Sequence, residues 1–504
     1  MNNPSYNSFT YPKGGFVDKP AEMFDRTFEW AELTRFATLP GPQAMLGVVS
    51  GRRRQGKTFL LDAVTRAGGG FMFTATETTE ADALRQFGEA LARYRGQATP
   101  FRFAHWDEAV TELLRLADRG PTTAVIDEFP FLAKASPALP SVIQRALDPA
   151  AQHTNTPVRL LLCGSALSFM GKLLAGNAPL RGRAGLELVV PTLDFRLAAE
   201  FWEISDPHTA LMTNAIVGGT PAYRREFTQG DTPQGPDDFD DWVARAVLNP
   251  ARPLFREARY LLAEEPELHD VALYHSVLAA IAAGNASRGG IADYLGRKST
   301  DLAHPLSVLQ DVGMITHETD AFRRNRSAYR IAEPLVTFYH AVMRPAWGDL
   351  ERPGRAAAVW KRAHSAFRSK VLGPRFEQVC REWSRWYAAP ETHGGQVSRV
   401  AGGTVNDPAA RTIHEVDSAV YGDTGDGREA LLAIGEAKWN DVMGTGHLER
   451  LRHIRGLLAK GDAATDRTRL QCFSGAGFTD DLRRLADKDP TVQLIDVDRL
   501  YHGT

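Results

Sequence analysis

From about residue 21 to 205, short unbroken apolar runs alternate with stretches of helical periodicity. The runs Met45–Val49, Gly70–Thr74, Thr123–Ile126 and Val158–Cys163 have the length and composition of strands buried on both faces. Helices between such strands make a parallel α/β sheet. Residues 1–20 are polar and irregular and predict a tail. Residues 206–265 read as a helical lid or linker, interrupted by a Pro/Gly/Asp-rich break at Gln229–Asp240. The pattern then changes over 266–345. The helical segments Val271–Ala283, Ile291–Leu295 and Asp301–Val312 lead into Ile315–Ile331, which predicts a two-stranded wing around a basic turn, hence a winged helix. A linker at 346–366 precedes a second α/β pattern over 367–504.

Composition narrows the function classes. The 504 residues carry a net charge of −2, which argues against a chain that coats nucleic acid over its whole surface but leaves room for a local basic groove. The cysteines, Cys163, Cys380 and Cys472, are odd in number and far apart. That argues against a disulfide framework or a zinc site and suits buried thiols in a reducing cytosol. No signal pattern opens the chain and no apolar stretch approaches a membrane span, so the expected location is cytoplasmic, with no membrane partner.

The sharpest chemical signal is GRRRQGKT, Gly51, Arg52, Arg53, Arg54, Gln55, Gly56, Lys57 and Thr58, which lies between the first strand and a helix; these residues and the adjoining Phe59 are the candidate nucleotide-binding positions. Glycines allow a tight turn in which successive amide N–H groups and a helix N-terminus face one anion. The pattern predicts a nucleoside triphosphate site, with Lys57 on the β/γ phosphates and Thr58 on Mg²⁺. TTAVIDEF ends a buried strand in two acids. Asp127 would hold Mg²⁺, and Glu128 would polarise the attacking water. RLLLCGSALSF places Ser165 after the next strand, where it would orient water or the γ-phosphate or simply end the strand. PLRGRAG offers Arg181 and Arg183; Arg183 is the candidate for positive charge in the transition state, from the same subunit or a neighbour.

In the second α/β region, helix Arg375–Tyr387 carries Glu377, TIHEVDSAVYG carries Asp417, and ALLAIGEAKW carries Glu436 and Lys438. Glu436 and Lys438 are two apart on a strand and share a face. A hairpin would set Asp417 beside Glu436, a divalent-metal site to which Glu377 adds a ligand, with Lys438 orienting or deprotonating water. An edge-strand ion pair is the plainer alternative. His414, His447 and His453 lack ligand spacing within one element and read as ordinary histidines, and Trp383, Trp386 and Tyr387 read as helix packing.

GRRRQGKT, VIDEF, LLLCGSALSF, PLRGR and GGTPAY together resemble the archaeal-type ATPase family of the AAA+/STAND superclass, over roughly Phe16 to Arg344. The resemblance implies a P-loop ATPase domain with a helical lid and a winged helix. It also implies ATP and Mg²⁺ as cofactors, a contact near adenine from Arg26 in FDRTFEW, and a base contact from Pro221 in Gly219-Thr220-Pro221. The C-terminal order, with D…E-x-K on adjoining strands, resembles the PD-(D/E)xK nuclease superfamily, in the form found at the C-terminus of many archaeal-type ATPases. Arg297 and Lys298 before the recognition helix, with Arg323, Arg324 and Arg326 in the wing turn, suit phosphates of duplex DNA. In STAND-like ATPases such a module often packs intramolecularly instead. The expected function is an ATPase coupled to a metal-dependent DNA nuclease, with a homo-oligomer required if Arg183 acts across subunits. The alternative is a nucleotide-controlled switch whose C-terminal domain binds nucleic acid or protein without cleaving.

Overall fold

Strands form where the apolar runs predict them. In the computed structural model, which describes residues 18–119, 121–148, 157–263, 270–323, 325–423, 429–460 and 465–504, β1 (Met45–Ser50), β2 (Phe71–Thr74), β3 (Thr122–Asp127), β4 (Val158–Gly164) and β5 (Ala184–Val189) form one parallel sheet in the order β2-β3-β4-β1-β5. Because side chains alternate along a strand, Leu160 and Leu162 of β4 enter the core on one face while Leu161 and Cys163 enter the core on the other. Every residue of β4 is buried, as a central strand covered on both sides requires. The fifth strand, β5, was not foreseen: it is an edge strand whose alternate residues are exposed, so it lacks an unbroken apolar run. Helix α1 (Thr27–Thr38) and helix α2 (Lys57–Ala67) pack on this unit, which ends at Thr192. The expected tail falls almost wholly on residues outside those described.

The second unit begins at Leu193. Its α3 (Val271–Ala282), α4 (Arg288–Leu295) and α5 (Ala303–Asp311) lead into the antiparallel pair β6 (Ile315–Thr319) and β7 (Ser327–Ile331), close to the winged-helix pattern. The expected linker at 346–366 is largely helical, since Ala356–Phe367 forms a helix that buries Val359, Trp360 and Phe367. Part of the Pro/Gly/Asp-rich break is also helix, Pro236–Trp242, with Phe239 and Trp242 buried. Apolar residues at helical spacing outweighed the loop-like composition in both places.

Helix α6 (Gly373–Trp386) precedes β8 (Gln396–Asp407), β9 (Thr412–Asp423) and β10 (Glu429–Lys438), then α7 (Thr445–Ala459), β11 (Arg469–Ser474) and β12 (Val492–Asp496). The sheet runs β12-β11-β10-β9-β8, antiparallel through β8, β9 and β10 and parallel beyond. Leu448, Leu451 and Ile454 of α7 fill a core with Ala419, Ile434 and Cys472 from the sheet. The turn expected between β9 and β10 lies at 424–428, outside the described residues.

Candidate functional site

The parallel register levels the carboxyl ends of β1, β3 and β4: Ser50 pairs with Gly164, and Ile126 with Leu162. Ligands of open parallel sheets bind beyond these ends. Residues 51–56 leave β1 as a loop and Lys57 opens α2. Gly51 has φ 152°, and a Cβ there would lie 2.6 Å from the Val190 carbonyl oxygen, so the loop can leave β1 only with glycine. Lys57 is buried and its Nζ donates to the Arg52 carbonyl at 2.8 Å. Burial lowers its pKa, opposed by Cys163, Glu128 and Asp127. The Thr58 hydroxyl donates to Asp127 Oδ2 at 2.7 Å, and Asp127 is 1% exposed. A paired hydroxyl and carboxylate are the oxygen donors that a hard cation prefers.

Glu128 takes a left-handed φ of 51°, rare for a non-glycine residue and costing about 1–3 kcal/mol where the surroundings impose it. Its backbone N–H donates to Asp127 Oδ1 at 3.0 Å. The Ser165 hydroxyl lies 3.1 and 3.2 Å from the two Glu128 carboxylate oxygens. Ser165 is therefore more than a strand-end residue, because it orients Glu128 across the gap between β3 and β4.

Arg26 is buried beside this loop, donating to the Pro191 carbonyl at 2.8 Å and the Gln55 carbonyl at 3.3 Å and pairing with Glu29 at 3.3 Å. It ties the phosphate loop to the chain after β5. Arg183 is placed differently from expectation. It adjoins Ala184, which pairs with Leu46 at the start of β1, whereas the loop leaves the far end, where Ser50 pairs with Val189. The intervening strand is about 13–17 Å long at 3.2–3.4 Å per residue. Within one chain Arg183 cannot reach a phosphate on that loop, and it pairs with Asp148 at 3.6 Å. Pro221 lies in the second unit, where it opens a helical turn after the buried Thr220.

In the second unit Glu377, Asp417, Glu436 and Lys438 converge from α6, β9 and β10. Asp417 Oδ2 accepts from the Ala437 N–H at 2.8 Å, and Lys438 Nζ lies 3.3 Å from Glu436 Oε1, the shared face that the two-residue spacing requires. Arg450 of α7 pairs with the same Glu436 oxygen at 2.8 Å. Glu436 Oε2 is buried without a hydrogen-bond partner. Burial and the neighbouring Asp417 raise the Glu377 pKa to about 7, and burial raises that of Asp417. Acids that resist ionisation together, with one oxygen unsatisfied, fit a divalent cation that would neutralise them.

The wing folds back onto this domain. Ala321 N–H donates to the Gly402 carbonyl at 2.9 Å, Thr404 to Asp320 at 2.9 Å, and Tyr421 to the Ala321 carbonyl at 3.1 Å. Ala321 and Phe322 join its core, and a Cβ on Gly403 would lie 2.7 Å from Phe322. The apolar part of the wing turn is thus committed intramolecularly, while Arg326, Arg297 and Lys298 stay exposed; Arg324 lies outside the described residues. Trp383 is fully buried, as expected of packing, whereas Trp386 is exposed.

No protein-family model matches the chain. A Methanocaldococcus jannaschii protein of uncharacterised function, MJECL04, is 28% identical over 310 residues, which cover 60% of this chain and 65% of that protein. The chain therefore spans just under two thirds of its relative's length. The Walker-type ATPase paby2304 of Pyrococcus abyssi aligns with a TM-score of 0.50 at 20% identity, covering 63% of this chain and 96% of that one. The ORC2 protein of Aeropyrum pernix, in its ADPNP–ADP complexes, gives 0.39 at 17% identity over 69% and 96%. The first of these likenesses speaks for the fold. This chain has a P-loop ATPase fold. Among its described residues no helix is long and apolar enough to cross a membrane, and all three cysteines are free and buried.

Sequence reasoning passed over three arginines that shape the acidic site of this P-loop protein. Arg381, one helical turn after Glu377, donates to the Asp417 carbonyl at 2.9 Å; its four-residue spacing was legible. Arg450 and the wing's Arg330, 4.0 Å from Glu377, arrive only through tertiary packing.

Proposed function

We propose that this chain binds and hydrolyses ATP on its P-loop and carries a metal-dependent DNA nuclease of PD-(D/E)xK type at residues 367–504, in the cytoplasm. The observation that carries the ATPase reading is the contact between Thr58 and Asp127, with Glu128 held by Ser165 one strand away. Amides of 51–57 and the Lys57 ammonium would hold the triphosphate, and Glu128 would accept the proton of the attacking water. Thr58 and Asp127 would hold Mg²⁺, whose charge offsets that of the phosphates. Arg26 would position the loop close to adenine, and Arg183 would act on a neighbouring copy, which requires a homo-oligomer.

For the second site, Asp417, Glu436 and Glu377 would hold Mg²⁺, which when bound would stabilise charge on the scissile phosphate. Lys438 would orient the attacking water or take its proton, and its ion pair with Glu436 fixes where its nitrogen sits. The exposed Arg297, Lys298 and Arg326 would meet DNA phosphates. One observation favours the second reading, a nucleotide-controlled switch without cleavage: Lys438 and Arg450 both pair with Glu436, so the acid is already partly neutralised by its own chain. ATP turnover, and cleavage of plasmid and single-stranded DNA with Mg²⁺ or Mn²⁺, measured with and without ATP, test the two activities separately.

The raised pKa of Glu377 has a sign that can be checked. Its stabilising contribution is complete below the unfolded value, 4.5, and is lost as pH rises through about 7. Glu377→Gln removes that loss. In EDTA the variant is expected to melt several degrees above the parent near pH 8, from about 3 kcal/mol, and by progressively less as the pH falls, meeting the parent only near pH 4. Thermal melts at the two pH values decide this, and an equal offset at both would refute it.

A further inference from the structure

Asp407 at the end of β8, His414 at the start of β9 and His453 on α7 bring their ligand atoms within 4.8 Å of one another. We infer that these side chains form a second metal site, for a divalent transition ion of the zinc type, which fastens α7 to the β8–β9 hairpin. Ordinary histidines, the expectation from sequence, would not converge on one carboxylate oxygen. Here His453 Nε2 lies 2.6 Å and His414 Nε2 3.6 Å from Asp407 Oδ2. His414 Nε2 is buried and makes no hydrogen bond, although it is aimed at that oxygen. The rings stand 77° apart with centroids 5.4 Å apart, so both nitrogens can approach one ion without stacking.

The carboxylate is built for one role. Asp407 is 3% exposed, and its Oδ1 accepts from the Ala410 N–H at 3.0 Å, which leaves Oδ2 for the imidazoles. A neighbour that fixes a ligand's second atom is the usual support of a metal centre. Zinc at about 2.0–2.2 Å from N and O ligands needs donor atoms roughly 3.3 Å apart in a tetrahedron, and the observed separations bracket that value. The His453 side chain is half exposed, so a water can complete the shell from solvent. Two imidazoles and one carboxylate suit Zn²⁺ or Co²⁺, whereas the all-carboxylate group of Glu377, Asp417 and Glu436 suits Mg²⁺. The two sites would therefore sort metals by hardness. Arg450, one turn before His453 on α7, pairs with Glu436, so the ion would fix the helix that presents this arginine.

The experiment uses the full chain, stripped with EDTA and titrated with Zn²⁺ by calorimetry and with Co²⁺ by visible absorption. We expect one tight Zn²⁺ per chain, a tetrahedral Co²⁺ band, and a rise in melting temperature with Zn²⁺ but not with Mg²⁺. His453→Ala, at a half-exposed position, should keep the far-UV spectrum and metal-free melting temperature of the parent. It should weaken Zn²⁺ binding by at least about 100-fold, as should His414→Ala and Asp407→Asn. No Zn²⁺ binding by the parent at micromolar concentration, or undiminished binding by the two histidine variants, overturns the assignment.

Discussion

In the Glu128→Gln protein, ATP turnover is expected to fall by about 10²–10⁴-fold, the usual contribution of a positioned general base, while nucleotide affinity stays close to that of the parent. The amide has the carboxylate's shape and can still accept from the Ser165 hydroxyl, which lies 3.1 Å from the acid. The left-handed backbone at this position keeps its partners, so loss of rate would report loss of proton acceptance rather than unfolding. Lys57→Ala should behave in the opposite way. Removing a charge-assisted contact of about 1.5–3 kcal/mol weakens nucleotide binding about 10- to 100-fold. Calorimetry with a non-hydrolysable analogue and phosphate-release kinetics separate the two effects. Full turnover by Glu128→Gln would remove that residue from the role assigned to it.

Lys438→Ala and Glu436→Gln are each expected to lower metal-dependent DNA cleavage by about 10²–10⁴-fold and to leave ATP turnover unchanged. The two residues act on one face of β10, 3.3 Å apart, so either substitution removes a partner of the other. Glu436→Gln is preferred to alanine because Arg450, 2.8 Å from Glu436, keeps a hydrogen-bond acceptor. Because neither position belongs to the P-loop unit, altered ATP turnover in these variants would count against the separation of activities. Absence of cleavage by the parent protein, with turnover intact, would support the nucleotide-controlled switch and reassign the acids to binding.

The arrangement of the candidate nucleotide site was legible in the sequence because its parts are local. A loop of this glycine spacing dictates its own amide arrangement, and two acids at the end of a buried strand must emerge at the sheet edge. The same holds for Glu436 and Lys438, whose shared face follows from the alternation of β10. The edge strand β5 and the helix Ala356–Phe367 were less legible. The first lacks a buried run, and the second carries polar residues at composition-linker positions while its apolar face is covered.

What the sequence determined alone was which unbroken apolar runs become strands, which glycine-bearing loop leaves β1, and which acids share a strand. Tertiary structure decided everything that depends on two distant segments meeting. Parallel register put Arg183 at the sheet edge opposite the P-loop. Packing of Ala321 and Phe322 turned a basic wing tip toward the C-terminal sheet. The docking of α7 brought His453 to Asp407 and His414, three residues that no spacing within one element could have joined. Periodicity and turn chemistry act over a few residues, whereas these meetings are set by which buried faces fit one another.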